Sequence, residues 1–222
     1  MKIHPVIAAA ALLMFVGQAK AGTIPYPNKG TIAPTNIFTA SVTGTVTGYF
    51  VQGGVASAGG AIDLDYVQML DLTNPSVDQG FLFNNQTTLA GASAFFGDVT
   101  KGDVLEFQLL DTSVTSFGGK SYPSGIIDSS VPADSVDGIN HAYSAAWAGG
   151  TLNGAAIPAG IYVGMEDRPV PGSDLNYNDD SFVFTDVSSS TTPVIPEPSS
   201  FYLLGTGMLS LVEVARRKLR RG

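Results

Sequence analysis

Residues 164–184 read GMEDRPVPGSDLNYNDDSFVF and hold the densest polar cluster of the chain. Glu166, Asp167, Asp174, Asp179 and Asp180 put five carboxylates within 15 positions, with Arg168 as the one basic residue among them. Asn176 and Asn178 add amide oxygens. Carboxylates crowded without counter-charge repel one another and are costly to bury. A hard divalent cation relieves both problems, and Ca2+ accepts about six to eight oxygens from carboxylates, amides and carbonyls. These seven residues are therefore candidate Ca2+ ligands. Asp174, Asn176, Asn178 and Asp179 form the central set, with Glu166 or Asp167 reaching in from the preceding strand.

The spacing Asp174-x-Asn176-x-Asn178 matches the first half of an EF-hand loop, but the match stops there. Asp179 stands where that loop needs Gly, and Thr185 stands where it needs a bidentate Glu. The alternative to a cation site is an Asx-rich loop whose side chains bond backbone amides. The same stretch, GMED followed after five intervening residues by SDLNYNDDSFVF, resembles the motif of the domain family called DUF4114. Glu166, Asp167, Asp174, Tyr177, Asn178 and Asp179 match its pattern. Met165 replaces an aromatic residue and Asn176 replaces an Asp, which removes one charge. The resemblance covers about 20 residues. It implies an exported all-β domain of the surface or matrix, with calcium as its expected ion.

Other chemistries are less well served. His141 is the one histidine outside the first 21 residues, and a Ser/His/Asp triad would need it beside an activated serine. No Gly-x-Ser-x-Gly occurs, so the expectation is a ring packed near Trp147 or Tyr143 on a strand. Acid pairs for glycoside hydrolysis are too common here to single out one. GGVASAGG (53–60) lacks phosphate-loop spacing. Tyr49, Phe50, Phe81, Phe83, Phe95 and Phe96 read as core or edge aromatics.

The elements that must position these residues are short strands. Residues 37–51 are rich in β-branched and aromatic types. In 62–72, Ile62, Leu64, Tyr66, Leu70 and Leu72 alternate with Asp63, Asp65 and Asp71, which predicts an apolar buried face and an acidic wet one. Segments 81–84, 93–96, 104–110, 141–147, 160–165 and 181–187 complete about eight strands. Stretches 53–60 and 116–125 read as turns or loops. The fold class predicted is all-β, a β-sandwich or jelly roll over residues 22–187, with 188–195 as a Pro-rich polar linker.

The two ends carry addresses. Lys2 and His4, an apolar run from Val6 to Val16, and Ala19-Lys20-Ala21 form a secretory signal peptide over 1–21, cut by signal peptidase after Ala21. At the other end, Pro196-Glu197-Pro198 precedes an apolar run, Phe201 to Ala215, and the basic residues Arg216, Arg217, Lys218, Arg220 and Arg221. At about 1.5 Å per residue the run reaches about 22 Å, short of the roughly 30 Å hydrocarbon layer. It reads as a marginal transmembrane helix with basic residues toward the cytoplasmic phosphates. Residues 196–222 resemble the PEP-CTERM sorting signal. That resemblance implies an exosortase-type processing enzyme, a transient inner-membrane stage and a Gram-negative envelope. It also implies a cell-surface or matrix destination associated with exopolysaccharide and biofilm. Glu213 departs from the family's uncharged segment.

Between these signals lie four basic and 17 acidic residues, a net charge of −13. Nucleic acid and anionic lipid both require a positive surface, so no nucleic-acid partner is expected. Cysteine is absent, which excludes thiol catalysis and cysteine metal sites. The resulting expectation is an exported, non-enzymatic, calcium-binding protein. A calcium-dependent carbohydrate-binding module and a polysaccharide hydrolase are the alternatives. Replacing Pro196, Glu197 and Pro198 by Ala should leave export intact and stop processing of the tail. Fractionation should then find unprocessed protein at the inner membrane, and normal maturation of the variant would refute the sorting reading.

Overall fold

In the computed structural model, described for residues 30–54 and 64–191, strands form where β-branched and aromatic residues concentrate. β1 (Asn36–Ala40), β2 (Gly44–Gln52), β3 (Asp65–Asp71), β4 (Leu82–Asn84), β5 (Ser93–Val99) and β6 (Val104–Asp111) come first. A two-residue pair, β7 (Ser116–Phe117) and β8 (Lys120–Ser121), precedes β9 (Ile126–Ser129). Then follow β10 (Ala142–Trp147), β11 (Gly150–Leu152), β12 (Ala155–Ile157), β13 (Gly160–Met165), β14 (Asp180–Phe184) and β15 (Val187–Thr191). The helical elements among the described residues are two 3-10 turns, at 75–77 and 132–134. The signal-peptide and sorting-signal readings fall on 1–21 and 196–222, outside the described residues.

The strands build an all-β, antiparallel fold. One sheet runs β15-β1-β6-β3-β4, with β9 also paired to β6, and the other runs β10-β13-β14-β2-β5. The two sheets pack face to face. Phe38, Val67, Met69, Leu105, Phe107 and Leu109 from the first meet Val46, Phe50, Phe96, Val163, Phe182 and Phe184 from the second. Phe107 and Phe184 stack across the interface with ring centroids 4.1 Å apart, and Phe38 meets Phe107 edge-on at 5.0 Å. Strand alternation sends the intervening residues Val51, Tyr162 and Val183 to the opposite face of the second sheet. There they bury a second cluster with Trp147 and with Leu152 and Ile157 of the β11–β12 hairpin.

Three sequence expectations change. The run 37–51 is two strands, because a bend at 41–43 moves the chain from one sheet to the other. In β3 the faces are reversed. Asp65, Val67, Met69 and Asp71 are buried while Tyr66 and Leu70 are only half-buried. Val67 and Met69 carry the core contact. The two aspartates end the strand, where their carboxylates accept bonds from neighbouring chain: Asn85 Nδ2–H for Asp65, and the Thr73 and Asn74 N–H groups for Asp71. Residues 188–191, assigned to a linker, instead continue β15 along the free edge of β1. Thr39 and Ser188 hydroxyls bond at 2.8 Å across that pair, so polar side chains do not prevent pairing.

Phe107 stands at the centre of the inter-sheet contact with no exposed surface. Phe107→Ala should destabilise the fold by about 3–5 kcal/mol. Denaturant unfolding checks this, and a loss below about 1 kcal/mol would place the core elsewhere.

Candidate functional site

β13 and β14 are antiparallel neighbours, with Met165 opposite Asp180. The connecting loop must therefore leave and re-enter at the same end of the sheet. Glu166 follows β13 directly, and the loop folds back over it. Ser173 Oγ–H donates to Glu166 Oε2, Leu175 N–H donates to the same oxygen at 3.2 Å, and Tyr177 N–H donates to Oε1. Leu175 and Tyr177 both hold φ of 55°, a left-handed conformation that costs roughly 1–3 kcal/mol for such residues. The alternation turns both N–H groups toward one carboxylate. A side chain at Gly164 would collide with the Tyr177 carbonyl, so the loop can lie this close only over glycine.

Tyr177 pins the loop to the rest of the molecule. Its hydroxyl accepts the Ala33 N–H at 2.7 Å and donates to the Asn140 carbonyl at 3.1 Å. Burial raises its phenol pKa.

The fold-back gathers three of the seven predicted ligands. One oxygen each from Glu166, Asp174 and Asp179 lies within 4.8 Å of the others. Glu166 is buried, Asp179 half-buried and Asp174 exposed, so the group opens to solvent on one side. Burial, then the Glu166 charge, then Asp174 raise the Asp179 pKa to about 6, against the opposing bond from the Asp167 N–H. Asp167 and Asp180 are not in this carboxylate group. Asp167 lies against Arg168, whose Nε is 3.9 Å away. Asn176 Nδ2–H donates to Asp174 Oδ2 at 2.7 Å, and Asn176 Oδ1 accepts the Asn178 N–H at 2.9 Å. The Asn178 carbonyl accepts from Gln52 Nε2 at 2.9 Å. Asp180 is almost wholly buried as the first residue of β14.

His141 lies just before β10, not on a strand. It sits between two carboxylates, with Nδ1 3.4 Å from Asp128 Oδ1 and Nε2 3.1 Å from Asp137 Oδ1. The cause is its position just before β10, where the edge of one sheet meets β9 of the other. At 1% exposure the ring offers no surface to a substrate. Burial raises the Asp128 pKa to about 8, helped by the charges of Asp137, Asp111 and Glu166. Asp137 goes the other way: burial opposes its charge, but the Val170 and Ile139 N–H bonds and His141 outweigh that and lower its pKa. Sequence reasoning missed Asp128 and Asp137. Asp137 is a local partner four residues before His141, whereas Asp128 becomes a partner only because β9 lies against the chain entering β10, where His141 N–H donates to the Ser129 carbonyl at 2.9 Å.

Comparison with protein-family models, curated proteins and solved structures finds no significant match to this chain.

Asp128 yields a pH prediction. Its folded pKa lies above the ordinary 3.8, so the folded state binds more protons than the unfolded one between about pH 4 and pH 8. Stability contributed by this group is therefore lost as pH rises through that window, by at most about 1.4 kcal/mol per unit. Asp128→Asn should flatten this decline, so that the variant gains on the wild type from pH 4 to pH 8. Urea titrations across that range check it, and parallel curves for the two proteins would refute it.

Proposed function

We propose that this chain is an exported, non-enzymatic β-sandwich protein of the cell surface or extracellular matrix whose 166–179 loop holds one Ca2+ ion. The observation that carries the metal reading is the convergence of Glu166, Asp174 and Asp179 oxygens within 4.8 Å. Burial first, and then the Glu166 and Asp174 charges, hold Asp179 above its ordinary pKa, at about 6. Arg168, the nearby cation, is directed at Asp167. A divalent cation between the three would neutralise the repulsion, and the open side leaves room for water to complete a flexible oxygen shell. Export and surface sorting rest on the two terminal segments, whose residue order resembles a signal peptide and a PEP-CTERM signal.

A second reading has its own support. Both Glu166 oxygens already accept loop donors, and Asp174 and Asn176 form a chain of side-chain to backbone bonds. On that reading the loop is a self-contained polar cap and binds no ion. The hydrolase alternative gains nothing from this geometry. A glycosidase acid pair must flank an open bond-cleavage site, whereas Glu166 is buried under the loop.

Calcium titration separates the two readings. Extracellular modules bind calcium at about 0.1–1 mM, and a hundredfold excess over Kd stabilises the folded state by about 2.7 kcal/mol. At roughly 2–4 °C per kcal/mol for a protein of this size, 10 mM calcium should raise Tm by several degrees. Asp179→Ala should abolish the shift, and magnesium should produce less of it. An unchanged Tm from chelator to 10 mM calcium would leave the hydrogen-bonded cap as the explanation.

A further inference from the structure

We propose that the outer face of the β10-β13-β14-β2-β5 sheet, beside the β11–β12 hairpin, binds a neutral polysaccharide, with Tyr49 and Phe95 as its stacking platform. Tyr49 lines a shallow groove of about 460 Å³ together with Thr151, Ala156, Ile157 and Pro158. Strand alternation fixes its direction. Phe50 faces the inter-sheet core, and a Cβ on Gly48 would meet the Phe96 and Phe184 rings there. Tyr49 must therefore point outward. Its ring packs against the buried Trp147 cluster, so it is held in place before any ligand arrives.

Phe95 extends the platform. β2 and β5 pair Thr47 with Phe95 and Tyr49 with Ser93, which puts the two rings diagonally on one face, within about 7–8 Å at the backbone. Alternation along β5 sends Phe96 into the core while Phe95 stays outside, 45% exposed. Thr47 and Ser93, the cross-strand partners of Phe95 and Tyr49, share this face by alternation, and Thr151 lines the groove. A pyranose offers an apolar C–H face and a rim of hydroxyls, which flat rings bordered by small hydroxyl side chains complement. The charged side chain carried here by β2 and β5 is Asp98, bonded to the Thr45 hydroxyl. An acidic face on an acidic body repels uronate polymers, which leaves neutral sugars as the fitting ligand. This deepens the matrix reading above, yet uses no residue of the loop proposed to hold calcium.

Native gel electrophoresis of the full chain through soluble neutral polysaccharides (hydroxyethyl cellulose, laminarin, dextran and galactomannan), with alginate as anionic control, tests the proposal in chelator and in calcium. Retardation is expected in at least one neutral gel and not in alginate, to the same extent in both buffers. Phe95→Ala should weaken it about tenfold, the effect of losing one aromatic contact. Phe95 is exposed, so this variant should fold. Tyr49→Ala should act likewise, Tyr49→Phe should retain binding, and Leu72→Ala, just after β3 of the other sheet, should change nothing. No retardation in any neutral gel overturns the proposal. So does retardation unaffected by Phe95→Ala, and so does retardation that a chelator abolishes, which would place binding at the acidic loop. Self-association that Phe95→Ala disperses, without glycan retardation, would assign the face to a second copy of the chain and likewise overturn it. A calcium titration that fails while neutral-gel binding persists would refute the loop reading alone.

Discussion

The Glu166 carboxylate is the point about which the distal end of this fold is arranged. It sits at the end of β13, almost fully buried, and accepts hydrogen bonds from Ser173, Leu175 and Tyr177. A charge removed from water needs compensation of this kind. Meeting it dictates the path of the loop, including the left-handed Leu175 and Tyr177. The loop's path then sets the positions of Asp174, Asp179 and the Tyr177 hydroxyl. That hydroxyl reaches to Ala33 and Asn140, so chain preceding β1 and chain preceding β10 are tied to the same carboxylate.

Around this point the fold accepts an unusual density of buried acid. Asp65 and Asp111 face each other across β3 and β6, and Asp128 feels Asp111 from its own sheet and Glu166 from the other. Each is handled by a different device. Asp111 caps its own turn through the Ser113 and Val114 N–H groups. Asp128 and Asp137 share one imidazole between them. Asp179 accepts the Asp167 N–H at 3.4 Å and otherwise lies near the Glu166 and Asp174 charges. A buried Glu106 accepts bonds from Ser129 and Gln108, yet burial outweighs them and raises its pKa.

The two faces of the second sheet divide the work. Its inner face makes the inter-sheet core with Phe50, Phe96, Phe182 and Phe184. Its outer face carries Trp147, Tyr162 and Tyr49 under and beside a hairpin. The hairpin covers only part of that face, and the uncovered part is where Phe95 stays in contact with solvent. The end of the sheet that bears the acidic loop and the face that bears these rings use different residues, so binding of an ion and binding of a sugar chain need not compete.

The sequence by itself determined what depends on composition and local pattern. β-branched and aromatic runs separated by Gly-rich turns specify an all-β fold, because strand pairing and pleat reward those residue types locally. The clustering of acids at 166–180 marks the segment in the same way, as a linear feature that does not say which of the acids meet. Tertiary structure alone decided which face each strand buries, since Val67 and Met69 outweigh Leu70 and Tyr66 only once the opposite sheet is in place. It also decided that Glu166, Asp174 and Asp179 converge while Asp167 and Asp180 stay outside the group. Neither outcome is a property of spacing, because each depends on where antiparallel β13 and β14 force the chain to turn back. The Asp128–His141–Asp137 contact is the plainest case. Its three residues come from β9, the chain before β10 and the segment between them, and only the packing of one sheet on the other brings Asp128 and His141 within reach.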